Sequence, residues 1–272
     1  MFEALFFKKE DIDNPEEEIK KIALASVFYA IAGIIVAKYI LPFYIDGTNF
    51  CGLIAVLVTS IGLSYPVTRY IKARDNEEIK KKWSEETLLG RHITELAVYS
   101  TIFLGATLVY GISRIFLHKN FFSAQSLVIN SVNSAAGNIT ANSMIGSILA
   151  NNFGVFLITF ALGFLVSGGI VFILIWNASI LGAEVGSISP TVFHVPLKTM
   201  AYLPHGLLEI AAYILAGLSG TLLSFHLEHY FRHGTHSIET LKITVKDIST
   251  IFILGLIALL LAGIVETGTL PF

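Results

Sequence analysis

The chain has 272 residues, 54% of them hydrophobic and only 14% charged, with a formal net charge of −2 and a mean hydropathy of +0.72. Soluble domains carry roughly a quarter charged residues, so a surface facing water on all sides is excluded, and no basic domain points to nucleic acid. The lone cysteine, Cys51, rules out an intrachain disulfide or a cysteine metal site and reads as a small buried apolar residue.

In chain order, residues 1–21 form a charged segment with Asp11, Asp13 and Glu16 to Glu18. A cleavable signal would need a basic start, a short apolar core and a small-residue cleavage site. Here the first apolar run starts late, is long and lacks a clear cleavage site, so it is expected to stay as a helix. A bilayer core takes about 20 apolar residues in helical form. Runs of that order lie at Ile22–Pro42, Phe50–Thr68, Ile93–Leu117, Phe153–Trp176, Leu203–Ser224 and Ile248–Val265. Inside hydrocarbon every backbone N–H and C=O must find its partner within the segment, which makes such runs helices. The expectation is an all-α, polytopic transmembrane bundle of about six spans, forming a single membrane domain over 1–272. The fourth run carries no charge at all, and Glu95 and Arg114 sit near the ends of the third, within reach of headgroups.

The segments between the runs differ in character. Arg69–His92 is dense in Lys and Arg, and His118–Asn152 is rich in Ser, Asn, Gly and Ala, with too many amides to cross lipid alone. The latter is expected to lie on the membrane or dip back into the bundle, as is a short helix around Val192–Met200. Phe225–Lys246 holds four histidines. With six spans and the N-terminus inside, the inner segments hold two-thirds of the 18 Lys and Arg. The positive-inside bias then places both termini in the cytoplasm and the His-rich segment outside.

The fifth run opens Leu-Pro-His-Gly-Leu-Leu-Glu-Ile. Pro204 suits a first helical turn, and His205 and Glu209, four residues apart, share a helix face. A carboxylate that far into a span should face protein or water. Glu266 occupies the last turn of the sixth run. Alternating crossings would bring Asn177, His205, Glu209 and Glu266 to one depth, a polar core able to bind a cation, relay protons or simply brace loops. His226, His229 and His233 follow a helical spacing that zinc ligands can use, and read more plainly as the amphipathic histidines of an interfacial helix. Small residues four apart, Ala212, Ala216 and Gly220 on the fifth run and Gly163 and Ser167 on the fourth, supply faces for close helix packing or for a homo-oligomer.

Asn151-Asn152 before an apolar helix, Gly163, Gly169, Asn177 and Gly182, then Pro204-His205-Gly206 with Glu209, and Glu266 with Pro271 together resemble the stage II sporulation protein M family over residues 151–272. The resemblance implies a polytopic protein of five or six helices, and marks Asn151, Asn152, Asn177, His205, Glu209 and Glu266 as its polar core. In spore formers the named member works beside cell-wall-degrading proteins as a scaffold, and many relatives belong to organisms that never sporulate. The expected function is therefore a non-enzymatic membrane scaffold without cofactor, whose partners are the bilayer, other membrane proteins or copies of itself. An ion or small-solute permease using Glu209 and Glu266 is the alternative, and an intramembrane metal-dependent enzyme is third.

Overall fold

A computed structural model describes residues 15–80, 88–137, 141–166, 168–233 and 238–269. The expected all-α bundle is what the chain forms. Its helices are α1 (Pro15–Tyr39), α2 (Cys51–Lys80), α3 (Leu88–Phe116), α4 (Ser123–Gly137), α5 (Ala141–Leu165), α6 (Gly169–Ser187), α7 (His194–His233) and α8 (Ile238–Thr269). The one sheet among these residues is a two-stranded hairpin, β1 (Tyr44–Ile45) with β2 (Thr48–Asn49), joining α1 to α2. Its turn places Asp46 at φ 48° and Gly47 at φ 77°, the left-handed pair that an Asp-Gly hairpin turn requires.

Six helices are long and apolar enough to cross a membrane: Glu16–Tyr39, Cys51–Arg74, Gly90–Phe116, Gly169–Ser187, Gly206–Phe231 and Thr244–Val265. Five of the six expected runs coincide with these windows. The fourth does not, because Phe153–Trp176 is two helices. α5 ends at Leu165 and α6 starts at Gly169. The reason lies in the glycines. A Cβ on Gly168 would fall 2.7 Å from the Ser64 Cβ, and one on Gly169 would fall 2.6 Å from the Leu162 carbonyl oxygen. Only glycine lets the backbone turn this tightly against α2. The Gly168 carbonyl accepts the Val171 N–H at 3.1 Å and also the Ser64 hydroxyl at 3.2 Å, which ties the turn to α2.

α5 supplies an apolar stretch, Leu149–Leu165, shorter than the six windows and at the lower limit of span length. Its direction follows from its neighbours: Phe156 and Phe160 pack edge-on against Phe252 of α8, while Leu149 meets Gly263 near the end of α8. The starts of α1, α3 and α8 and the ends of α2 and α7 share one face, tied by Arg74–Glu95, Lys72–Glu228 and Arg91–Asp247. Pro15 and Thr269 therefore lie at opposite ends of the bundle. The end of α7 that carries Glu228 meets the end of α2 that carries Lys72.

Packing is built on small residues, as expected where lipid offers no hydrophobic drive between helices. Gly33 lies on Ala55 and Thr59, and Gly182 on Thr107, Tyr110 and Gly111. Gly163 meets Gly217 and Thr221, and Gly220 meets Phe160 and Phe164, closing α5 on α7. Ala212 and Ala216 are fully buried in a second core with Phe156, Tyr213 and Leu259. Ser167 lies outside the described residues. The Asn-rich region docks back on the bundle at the face away from the ion pairs. Phe122 is fully buried beside Tyr110, and the Gln125 amide donates to Ser179 on α6 at 3.1 Å. The short helix expected around Val192–Met200 is instead the opening of α7, with Val195 fully buried against Gly111.

Candidate functional site

Buried polarity in this protein concentrates on the face where five helix ends meet. On α3 the inward stripe Val98, Tyr99, Ile102, Phe103 and Ala106 continues backward through Glu95, His92 and Arg91 at helical spacing. These three charged or polar side chains are therefore carried inward, 2%, 3% and 9% exposed. Glu95 does not reach the headgroups. It faces Arg74 of α2, whose Nε lies 3.5 Å from Oε1. Arg91 Nη2 lies 2.8 Å from Oδ1 and 2.7 Å from Oδ2 of Asp247 on α8, and both residues are buried. Glu18, fully buried on α1, accepts from Lys21 one turn later at 3.3 Å. Lys72 reaches Glu228 at 2.6 Å on the half-exposed rim and covers the Phe225 ring.

Charges taken out of water are tolerable when paired at short range and hydrogen-bonded. Arg74–Glu95, Arg91–Asp247 and Lys72–Glu228 meet that requirement with cation and anion on different helices, so each of these three also ties two helices together. Arg91, Arg74, Glu95 and Asp247 were missed as a site in the sequence because each sits near the end of an apolar run, where a long side chain can equally well escape to water. The legible signal was periodicity: extending the apolar stripe one more turn predicts which of them point inward.

The residues singled out in sequence are dispersed. Glu209 is half-buried on α7 and accepts a hydrogen bond from the Tyr213 hydroxyl at 2.6 Å. His205 and Glu266 lie on α7 and α8, and their side chains fall outside the described ones. α7 and α8 run antiparallel, with Gly255 against Ala212 and Leu215, so positions 209 and 266 occupy the same half of the pair. Asn177 lies within α6, clear of its ends, and donates to the Ile173 carbonyl at 2.9 Å. Asn151 is exposed and donates to the buried Asn152 at 3.2 Å.

The candidate metal set is also spread out. His226 places Nδ1 2.8 Å from the Leu222 carbonyl, His229 is half-buried, and the side chain of His233 lies outside the described ones. Among the described residues no three His, Cys, Asp or Glu side chains converge on a metal position.

Comparison with known proteins matches residues 94–269 to the family model described as stage II sporulation protein M. An uncharacterised protein of the archaeon Methanocaldococcus jannaschii is 30% identical over 126 residues, which cover 46% of this chain and 70% of that one. No solved structure matches.

Proposed function

The chain belongs to the stage II sporulation protein M family, and from that premise we propose that it is a non-enzymatic membrane scaffold that holds partner proteins at its ion-paired face. One observation carries this reading: the buried charges of the cap are paired, with ion pairs that join α2 to α3 and α3 to α8 and a rim pair that joins α2 to α7. Such pairing favours a fixed platform. Between α2 and α3 the sequence carries Lys80-Lys81-Lys82-Trp83-Ser84-Glu85-Glu86, a dense charged stretch of the kind that engages a partner.

Orientation belongs to the same reading. Lys20, Lys21, Arg69, Lys72, Arg74, Arg91, Lys242 and Lys246 lie on the ion-paired face, against Lys38, Arg114, Lys119 and Lys198 on the other. The positive-inside bias makes the ion-paired face cytoplasmic. The N-terminal end is then inside, and the end of α8 is outside.

The permease reading is favoured by one feature, the half-buried Glu209 held by Tyr213 at the membrane end of α7. A single pair of measurements separates the two. Photo-crosslinking of the full chain in native membranes should capture reproducible partners, and Lys81→Glu with Lys82→Glu should abolish the capture. Partner capture unaffected by these changes, together with ion flux into liposomes that Glu209→Gln stops, would replace the scaffold with the permease.

A further inference from the structure

α6 and α7 come together at two levels of the bundle. Gly217 rests on Ile170 near the start of α6, and further along Val195 and Gly182 both lie against Gly111 of α3. Between these levels α6 runs 12 residues, from Ile170 to Gly182, and α7 runs 22, from Val195 to Gly217. At 1.5 Å per residue that is about 18 Å of helix against about 33 Å. α7 therefore cannot follow α6. Its first turns slant across the end of the bundle that lies away from the ion pairs. Pro204 falls between the two levels in sequence, and a proline inside a helix removes one backbone bond and bends the axis. The spanning window of α7 opens only after it, at Gly206.

The slanted segment has three sides. Val195 and Thr199, both buried, turn toward the bundle. His194, exposed, and Lys198, half-buried, form a polar flank. The third side is apolar: Phe193, just ahead of the first turn, Leu197 and Met200 are 83%, 65% and 65% exposed, at the i, i+4, i+7 spacing of one helix face. Leu207, seven residues beyond Met200 and also exposed, carries the same stripe into the spanning window. A large apolar face left open marks a contact with membrane or protein. Continuity with the face of a span identifies lipid as the occupant. A basic flank beside an apolar stripe is also how a helix lies in a membrane interface, its long cation reaching for the headgroups.

We propose that residues 193–201 form an interfacial arm, with Phe193, Leu197 and Met200 seated in lipid at the leaflet opposite the ion-paired cap and Lys198 directed to the headgroup phosphates. Only the turns of α7 after Pro204 then cross the bilayer, and the arm fixes the level at which the bundle sits in it. The inference goes beyond the scaffold reading and does not depend on it, since partner capture at one face and lipid contact at the other are separate measurements.

The test uses the full chain with Cys51→Ala in nanodiscs of phosphatidylcholine and phosphatidylglycerol, carrying one nitroxide label at a time on Leu197→Cys or Met200→Cys. Ile257→Cys, exposed within the α8 window, and Glu16→Cys, exposed at the start of α1, serve as lipid and water references. Power-saturation electron paramagnetic resonance compares collisions with oxygen, which concentrates in lipid, and with a water-soluble nickel chelate. At 197 and 200 the oxygen-to-nickel ratio should approach that at 257 and exceed that at 16. A ratio matching position 16 places the stripe in water and overturns the proposal. Labels that neither reagent reaches show that a partner protein or a second copy covers the stripe, which overturns it equally. Phe193→Cys, ahead of the helix, gives the same comparison should a label within the helix unsettle the fold.

Discussion

Two regions hold this bundle together by opposite means. At the ion-paired cap, helices are joined by charges that would be ruinous alone: remove one partner and a buried ion remains. At the α5–α7 and α3–α6 seams they are joined by absence, since Gly163, Gly220 and Gly182 let one backbone rest on another with no side chain between. The first kind of contact fails by subtraction and the second by addition. Neither relies on the expulsion of water from apolar faces, which lipid does not supply.

The sharpest way to break that contrast is Asp247→Ala, which strands Arg91. It should cost about 3–5 kcal/mol, the usual penalty for halving a buried pair, read as chemical unfolding in detergent. Replacing both residues, Arg91→Met with Asp247→Leu, should recover most of the loss. Recovery would locate the cost in the stranded ion, and its absence would show the pair to be stabilising in its own right.

Gly163→Leu tests the other region. Its side chain would enter the space of Gly217 and Thr221, and overpacking of this kind costs about 1–3 kcal/mol. Gly154→Leu, on the same helix with no atom within 4 Å of a built Cβ, should be near neutral in the same assay. A smaller change is expected from Glu228→Gln at the rim of the cap, where the two partners are 41% and 32% exposed. A pair so open to solvent contributes about 0.2–1 kcal/mol, and added salt should erase the difference.

The smallest effect concerns Tyr202, outside the spanning windows. Burial, and secondarily the Glu184 charge, push its phenol up from the ordinary value. A raised phenol is neutral in the fold, so its contribution is intact below the unfolded value of about 10 and falls away as pH rises through the folded one. Tyr202→Phe should match the parent in thermal unfolding near neutrality and surpass it slightly only in alkali.

Hydropathy located five spans in sequence because twenty apolar residues have few other uses, and the Pro-His-Gly-x-x-Glu segment was enough to suggest the family. The fourth run was misread for an equally physical reason. Val166-Ser167-Gly168-Gly169 carries no charge, and nothing in hydropathy distinguishes a span from two helices joined by a glycine turn. The candidate site suffered from the same ambiguity. Glu95 reads as a residue within reach of headgroups, Arg91 belongs to the charged segment between two runs, and Asp247 stands just before the sixth run.

What the sequence determined by itself is the class of environment, because the cost of placing peptide and charge in hydrocarbon is set by composition and length alone. It also determined which faces of each helix are small or apolar. Which helix ends meet was decided only in three dimensions. The pairing of Arg91 with Asp247 joins residues 156 positions apart, and such a contact depends on the number and direction of every crossing between them, a quantity to which no local window of sequence is sensitive.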